Sequence, residues 1–143
     1  IGACDWSSDV CSSDLLIVFA LPVAVVAAQG DAQSQEDLDV FLDPDRLLEL
    51  IENPPDDFYL VDVRTEREYR AGHIPGAVLV PYTEIAENPP TDDRDALIIV
   101  YCRTGGRSAR ADDSLRDAGY TRLLDWGGIV DWPHRTVSGS SPR

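Results

Sequence analysis

An α/β domain, with a parallel five-stranded sheet flanked by helices on both faces, is the fold class this sequence predicts. Two observations lead to it. Short runs rich in β-branched and aromatic residues (40–42, 58–63, 77–80, 97–101 and 122–125) alternate with stretches that carry helix starts and stops, the order expected of strand–helix–strand units. The fourth run, Leu97-Ile98-Ile99-Val100-Tyr101, is apolar throughout and too short for a helix, which is the pattern of a strand buried on both faces. The part of the chain that carries this pattern is near the usual size of one domain, so one core is expected.

The first residues stand apart. Asp5-Trp6-Ser7-Ser8-Asp9-Val10-Cys11-Ser12-Ser13-Asp14-Leu15 resembles the translation of a sequencing-library adapter, and residues 1–4 read as the same segment. Residues 1–15 are therefore excluded from fold reasoning, and Cys4 and Cys11 are assigned no function. Cys102 is then the single remaining cysteine, so no intramolecular resolving disulfide is available. Residues 16–28 are apolar and end in Val26-Ala27-Ala28. They have the length of a signal-peptide core and fall short of the roughly 20 residues that span a bilayer. A periplasmic or secreted bacterial protein is expected, with no stable membrane association after cleavage. Residues 29–38 are polar and aperiodic, and are expected to form a flexible leader to a domain over 39–135.

Within that domain the elements come in order. Val40-Phe41-Leu42 is expected to be a short strand. Asp43 and Pro44 then supply N-cap and first-turn proline to a helix whose apolar face is Leu47, Leu48 and Ile51, stopped at Asn53-Pro54-Pro55. Phe58–Val63 is the second strand and Ala77–Val80 the third. Tyr82–Glu87 reads as a short helix closed by Asn88-Pro89-Pro90. The central strand, 97–101, leads through a Gly-rich loop into a helix over 108–118, with Ser108 as N-cap and Gly119 as stop. Arg122–Asp125 is the last strand. The Trp126–Trp132 segment packs a short helix on the body, its tryptophans serving the core. Residues 136–143 read as a polar tail.

Composition bounds the partners. The chain has 12 Lys and Arg against 26 Asp and Glu, for a net charge of −14, and every basic residue is arginine. An acidic surface argues against nucleic acid or an anionic membrane as partner. An anionic substrate has to be drawn in by a local basic patch. The sequence shows no dinucleotide fingerprint, no nucleotide phosphate loop and no clustered metal ligands, so no cofactor or metal is expected.

That basic patch is Cys102-Arg103-Thr104-Gly105-Gly106-Arg107. A cysteine at the carboxyl end of a strand, facing a helix start, stands where open α/β sheets place ligands. Glycines let successive amides turn inward. Those donors, the helix dipole, Arg103 and Arg107 together favour a thiolate and would hold a small oxyanion beside it. Nucleophile and anion site in one loop suit attack on an anionic sulfur or phosphorus centre.

Three ordered segments resemble the rhodaneses, the sulfurtransferase family, over about residues 39–135. They are the Cys102–Arg107 loop, Val61-Asp62-Val63-Arg64 followed by Glu68-Tyr69 and Gly72-His73-Ile74-Pro75-Gly76-Ala77, and Leu124-Asp125-Trp126-Gly127-Gly128-Ile129 with Trp132. The resemblance implies that the Cys102 thiolate takes the outer sulfur of thiosulfate as a persulfide, releases sulfite, and passes the sulfur to a thiol or to cyanide. The site would comprise Arg103, Thr104, Gly105, Gly106 and Arg107: the loop amides would stabilise the anionic persulfide, Arg107 ahead of Arg103 would bind the sulfonate, and no cofactor is implied. It also gives Asp62, Arg64 and His73 structural roles near the site, although Asp62 with Arg64 could be read as a catalytic pair and His73 as a base for the cysteine. Two rival readings are a phosphatase or arsenate reductase on the same fold and a persulfide carrier or binding module. The first uses five residues between cysteine and arginine, whereas four separate Cys102 from Arg107 here.

Overall fold

The computed structural model describes residue 35 and residues 37–140. Helix α1 (Pro44–Glu52) begins as its sequence dictates: Asp43 Oδ1 accepts the Asp45 and Arg46 amides at 2.9 and 3.3 Å, with Pro44 in the first turn. Its Leu47 is fully buried. Strand β1 (Phe58–Asp62) comes next, then a helix that the sequence reading does not assign, α2 (Glu66–Ala71). Thr65 and Glu68 close its start as a reciprocal capping box, the T-x-x-E arrangement that satisfies two orphan amides at once. Strand β2 is only Val78–Leu79, β3 is Leu97–Cys102, α3 is Gly106–Asp117 and β4 is Arg122–Gly128.

The sheet is parallel, in the order β2-β1-β3-β4. It has four strands where five are expected. Val40-Phe41-Leu42 forms part of a 3-10 helix (Asp39–Leu42). Val40 and Leu42 are about half exposed, so the run offers only Phe41 to the core. A three-residue apolar run carries too little periodicity to separate strand from helical turn. Tyr82–Glu87 likewise departs from expectation. It is a series of turns, with Ile85 N–H donating to Pro81 O at 3.1 Å and Asn88 N–H to Glu84 O at 2.8 Å. The segment lies between Pro81 and Pro89 and has no counterpart of the capping box that starts the equally short α2, so no helix propagates.

Successive residues of a strand point to opposite faces, and β3 serves two cores in this way. Leu97, Ile99 and Tyr101 join Leu47 of α1, Tyr69 of α2 and Leu60, whereas Ile98, Val100 and Cys102 join Ala111 and Leu115 of α3 with Val61 and Val63. The packed unit also exceeds the expected 39–135. Leu38, expected in the leader, is buried in the first core, and Gln35 Nε2 donates to Leu123 O at 3.3 Å. Val137, expected in the tail, exchanges backbone bonds of 2.8 and 2.9 Å with His73. Backbone pairing of this kind leaves no side-chain signal. The adapter-like and signal-like residues 1–28 lie outside the described residues. Among those described, no helix is long and apolar enough to cross a membrane.

Candidate active site

The site is built at the carboxyl end of β3, where strand, loop and helix meet. Cys102 is the last residue of the strand and only 1% exposed. The chain then turns through Arg103, Thr104 and Gly105 into α3. Gly105 has φ +100° and is the N-cap, a left-handed conformation that glycine adopts at little cost. This turn sends the Gly105 N–H back to Cys102 Sγ at 3.0 Å. Ser108 is therefore not the N-cap that the sequence suggests. It lies inside the first turn, fully buried, and its Oγ donates to Gly105 O at 2.8 Å and reaches Gly127 O at 3.2 Å. The left-handed glycine starts the helix earlier than the serine would.

The sulfur feels opposing effects. Burial pushes the Cys102 thiol up, but the amides of Ser108, Arg107 and Thr104 favour the thiolate, and the net result lies below the ordinary thiol value. Aligned N–H groups at a helix start are the physical source of that gain.

A second segment supports the loop from outside. The pairing of β3 with β4 jumps from Val100↔Asp125 to Tyr101↔Gly127, so Trp126 is an extra residue in β4. Such a bulge bends a strand and re-aims the residues beyond it. Asp125 Oδ1 accepts the Gly127 N–H at 2.9 Å, and Gly127 takes φ +93°. Gly128 then sits opposite Cys102, against the loop itself: a Cβ there would come within 2.8 Å of Thr104 Cα. Val130 N–H donates to Arg103 O at 3.4 Å. The Gly-Gly segment of the sequence is thus the floor on which the loop rests.

Arg107 and Arg103 are placed differently. Arg107 is gripped by Glu68 of α2, its Nη1 donating to Oε2 at 2.8 Å and its Nη2 to Oε1 at 2.9 Å. Bidentate guanidinium–carboxylate pairs are among the stronger polar contacts. The hydrogen bonds from Arg107 hold Glu68 at about 2, against an ordinary value of 4.5. The same contact raises the Arg107 pKa, with the neighbouring Cys102 and Tyr82 adding smaller contributions. Arg103 and Thr104 are exposed, and Arg103 makes no ion pair among the described residues. In the sequence Glu68 stands out only as part of a family segment. Its capping box is readable there, but its partner 39 residues on is not.

Asp62, Arg64 and His73 lie together, but not at the sulfur. Arg64 Nε and Nη2 donate to Asp62 Oδ1 and Oδ2 at 2.9 and 2.6 Å, and Nη2 also reaches Gly72 O at 2.7 Å. Tyr101 Oη donates to Asp62 Oδ2 at 2.8 Å and accepts the Ile74 N–H at 3.1 Å. His73 stacks on Tyr69 at 3.7 Å, with Nδ1 2.9 Å from Tyr69 O; a carbonyl only accepts, so Nδ1 carries the proton. Tyr101 and Cys102 are consecutive on β3 and face opposite ways. The network therefore lies across the sheet from the thiol, and His73 is not its base. Tyr101, at the centre of the network, reads in the sequence only as part of the strand; its hydroxyl gives no signal.

The site is thus a strand-end cysteine in an amide-lined six-residue loop, held by a glycine floor on a parallel α/β sheet. The rhodanese-like domain family model matches residues 43–134, and this chain belongs to the rhodanese-like domain family. Over 81 residues it is 33% identical to the thiosulfate sulfurtransferase PspE of Escherichia coli, covering 55% of this chain and 78% of that protein. A sulfurtransferase of Allochromatium vinosum is 38% identical over 89 residues, 62% of this chain and 83% of the relative. Among solved structures, a rhodanese-like domain protein from Staphylococcus aureus superposes with a TM-score of 0.58 at 28% identity, covering 68% of this chain and 95% of that one.

Proposed function

We propose that the protein is a thiosulfate sulfurtransferase-type enzyme that moves sulfane sulfur through a persulfide on Cys102. The observation that carries this reading is the Gly105 N–H aimed at Cys102 Sγ at 3.0 Å, in a loop that holds the thiol below its ordinary value. The similarity to PspE and to the Allochromatium sulfurtransferase supports the same class.

In the first half-reaction the Cys102 thiolate attacks the outer sulfur of thiosulfate. The new Cys102 S–S bond forms as the sulfur–sulfur bond of the donor breaks, and sulfite leaves with the electron pair. The loop amides that favour the thiolate are placed to favour the anionic persulfide, which carries its charge one bond further out. Arg103, exposed in the loop, is the available cation for the sulfonate, in place of the expected Arg107, which Glu68 holds. In the second half-reaction a thiol or cyanide attacks the outer persulfide sulfur and regenerates the thiolate. Neither step asks for a metal or organic cofactor, and among the described residues no group of three or more His, Cys, Asp and Glu is placed to hold a metal. The signal-like residues 16–28 support a periplasmic or extracellular setting for this activity.

The four-residue gap between Cys102 and Arg107 disfavours a phosphatase or arsenate reductase, which needs a roomier loop. A persulfide carrier shares the first half-reaction and differs in the second. Incubation with thiosulfate should add one sulfur to the intact protein, and cyanide should then give steady thiocyanate formation. Cys102→Ser is expected to lose both signals, and residual turnover above a few per cent would refute the assignment. Loading without turnover would instead favour the carrier.

A further inference from the structure

The Glu68–Arg107 pair alters the charge arithmetic of the site. Two cations lie in the loop by sequence, but Arg107 turns its Nη1–Nη2 edge to one carboxylate, at 2.8 and 2.9 Å, and that carboxylate offsets its charge. Glu68 does not surrender that contact readily. Its carboxylate is also fixed by Thr65 Oγ1 at 2.8 Å and the Thr65 amide at 3.2 Å, so capping of α2 and capture of Arg107 use the same carboxylate. The pair is only partly buried, with side-chain exposures of 30% and 28%, yet its Arg107 stands in the first turn of α3, whose amides face the Cys102 sulfur.

We propose that Glu68 is the residue that sets donor specificity, by withholding Arg107 from doubly charged donors and so favouring donors with less negative charge at the reacting end. The proposal rests on the sulfur-transfer reading and deepens it. Thiosulfate brings two negative charges and must expel sulfite, a dianion, next to a thiolate becoming a persulfide. That step benefits from every free cation. A low-molecular-weight alkyl persulfide transfers the same sulfur with less charge: the Cys102 thiolate attacks the terminal sulfur of R–S–SH, the donor's S–S bond breaks, and R–S⁻ leaves with the pair while the proton stays on the transferred sulfur. Atoms and charge balance with no further reactant. Here the loop amides suffice, and a neutralised Arg107 is no handicap.

The test compares loading rates of Cys102, followed as the one-sulfur mass gain of the intact protein, with thiosulfate and with cysteine persulfide. Wild type, Glu68→Gln, Arg107→Gln and the double variant are measured. Glutamine at this helix position keeps the capping box, and circular dichroism checks that each variant is folded. Glu68→Gln should move the thiosulfate-to-persulfide rate ratio toward thiosulfate by about tenfold, the scale of one charge-assisted contact released to the donor. In the Arg107→Gln background the same substitution should move it by less than about twofold, because the effect runs through Arg107. An unchanged ratio overturns the proposal, as does a shift away from thiosulfate, the result expected if Glu68 instead aims Arg107 at the donor. An equal shift in both backgrounds also overturns it. A wild-type protein that takes sulfur from neither donor removes the sulfur-transfer reading together with this one.

Discussion

Gly128 stands where no side chain fits, because the backbone of Arg103 and Thr104 occupies the space a Cβ would need. Neither neighbour is a flexible chain end, so Gly128→Ala must push the loop off its floor. Overpacking of this kind costs about 1–3 kcal/mol. Chemical denaturation should show that loss, and Cys102 loading should slow with it; a variant of unchanged stability would mean the loop has slack. Gly106, by contrast, meets nothing within 4 Å and has no positive φ. The sequence marks Gly105 and Gly106 alike as parts of an amide cradle, but only Gly105 carries a conformational demand, at φ +100°. Such distinctions depend on what the rest of the fold brings alongside, and no local pattern encodes that. Cys102 is readable because a strand end, glycines and arginines are contiguous in sequence. Tyr101 gives no comparable signal, since its role depends on Asp62 and Ile74 approaching from elsewhere.

At the level of elements, one ion pair ties α2 to α3. Its pH dependence has a definite sign. Glu68 titrates at about 2 in the folded protein against 4.5 ordinarily, through its bonds to Arg107. A depressed carboxyl contributes stability that is fully present above its unfolded value and is lost as pH falls through the folded one. The stability difference between wild type and Glu68→Gln should therefore be constant at neutral pH and shrink between about pH 4.5 and 2. Denaturant midpoints across that range measure it; a difference that persists at full size at pH 2 would show that the effect is not this titration. Helix α1 is legible because Asp43 and Pro44 write its start in sequence. The expected fifth strand is not there to be read, since three apolar residues fit a 3-10 turn as well as a strand, and the turn leaves half of Val40 exposed.

For the whole molecule, the sheet keeps two polar tasks apart. The thiol faces one core, while the Asp62–Arg64–Tyr101 network fills the other with its donors and acceptors matched. The chain is acidic overall, with a net charge of −14, or −11 once Asp5, Asp9 and Asp14 of the adapter-like segment are set aside. Long-range repulsion of an anionic donor is the consequence, and salt screens it over about 10 Å at 0.1 M. The kcat/KM for thiosulfate should rise as ionic strength increases from low values toward about 0.1 M. A fall would show that attraction by the loop cations outweighs the field of the molecule. The α/β class and the parallel pairing are legible at this scale because an uninterrupted apolar run suits a strand buried on both faces, whereas the number of strands is not. The docking of Gln35, Leu38 and Val137 is not, since it uses one side-chain amide, one leucine and backbone alone.

The extra residue in β4 has a consequence for how such a chain can change over generations. Turn residues between Pro81 and Asp95 can be gained or lost without altering which way any strand residue points. Trp126 enjoys no such freedom. Deleting it would restore even pairing with β3 and leave Gly127 opposite Tyr101, but it would take an indole out of the core and remove the bend that seats Gly128 against the loop. Length variation among descendants of this sequence should thus accumulate in the turns and stop at the bulge, where residue count and the indole are inherited together.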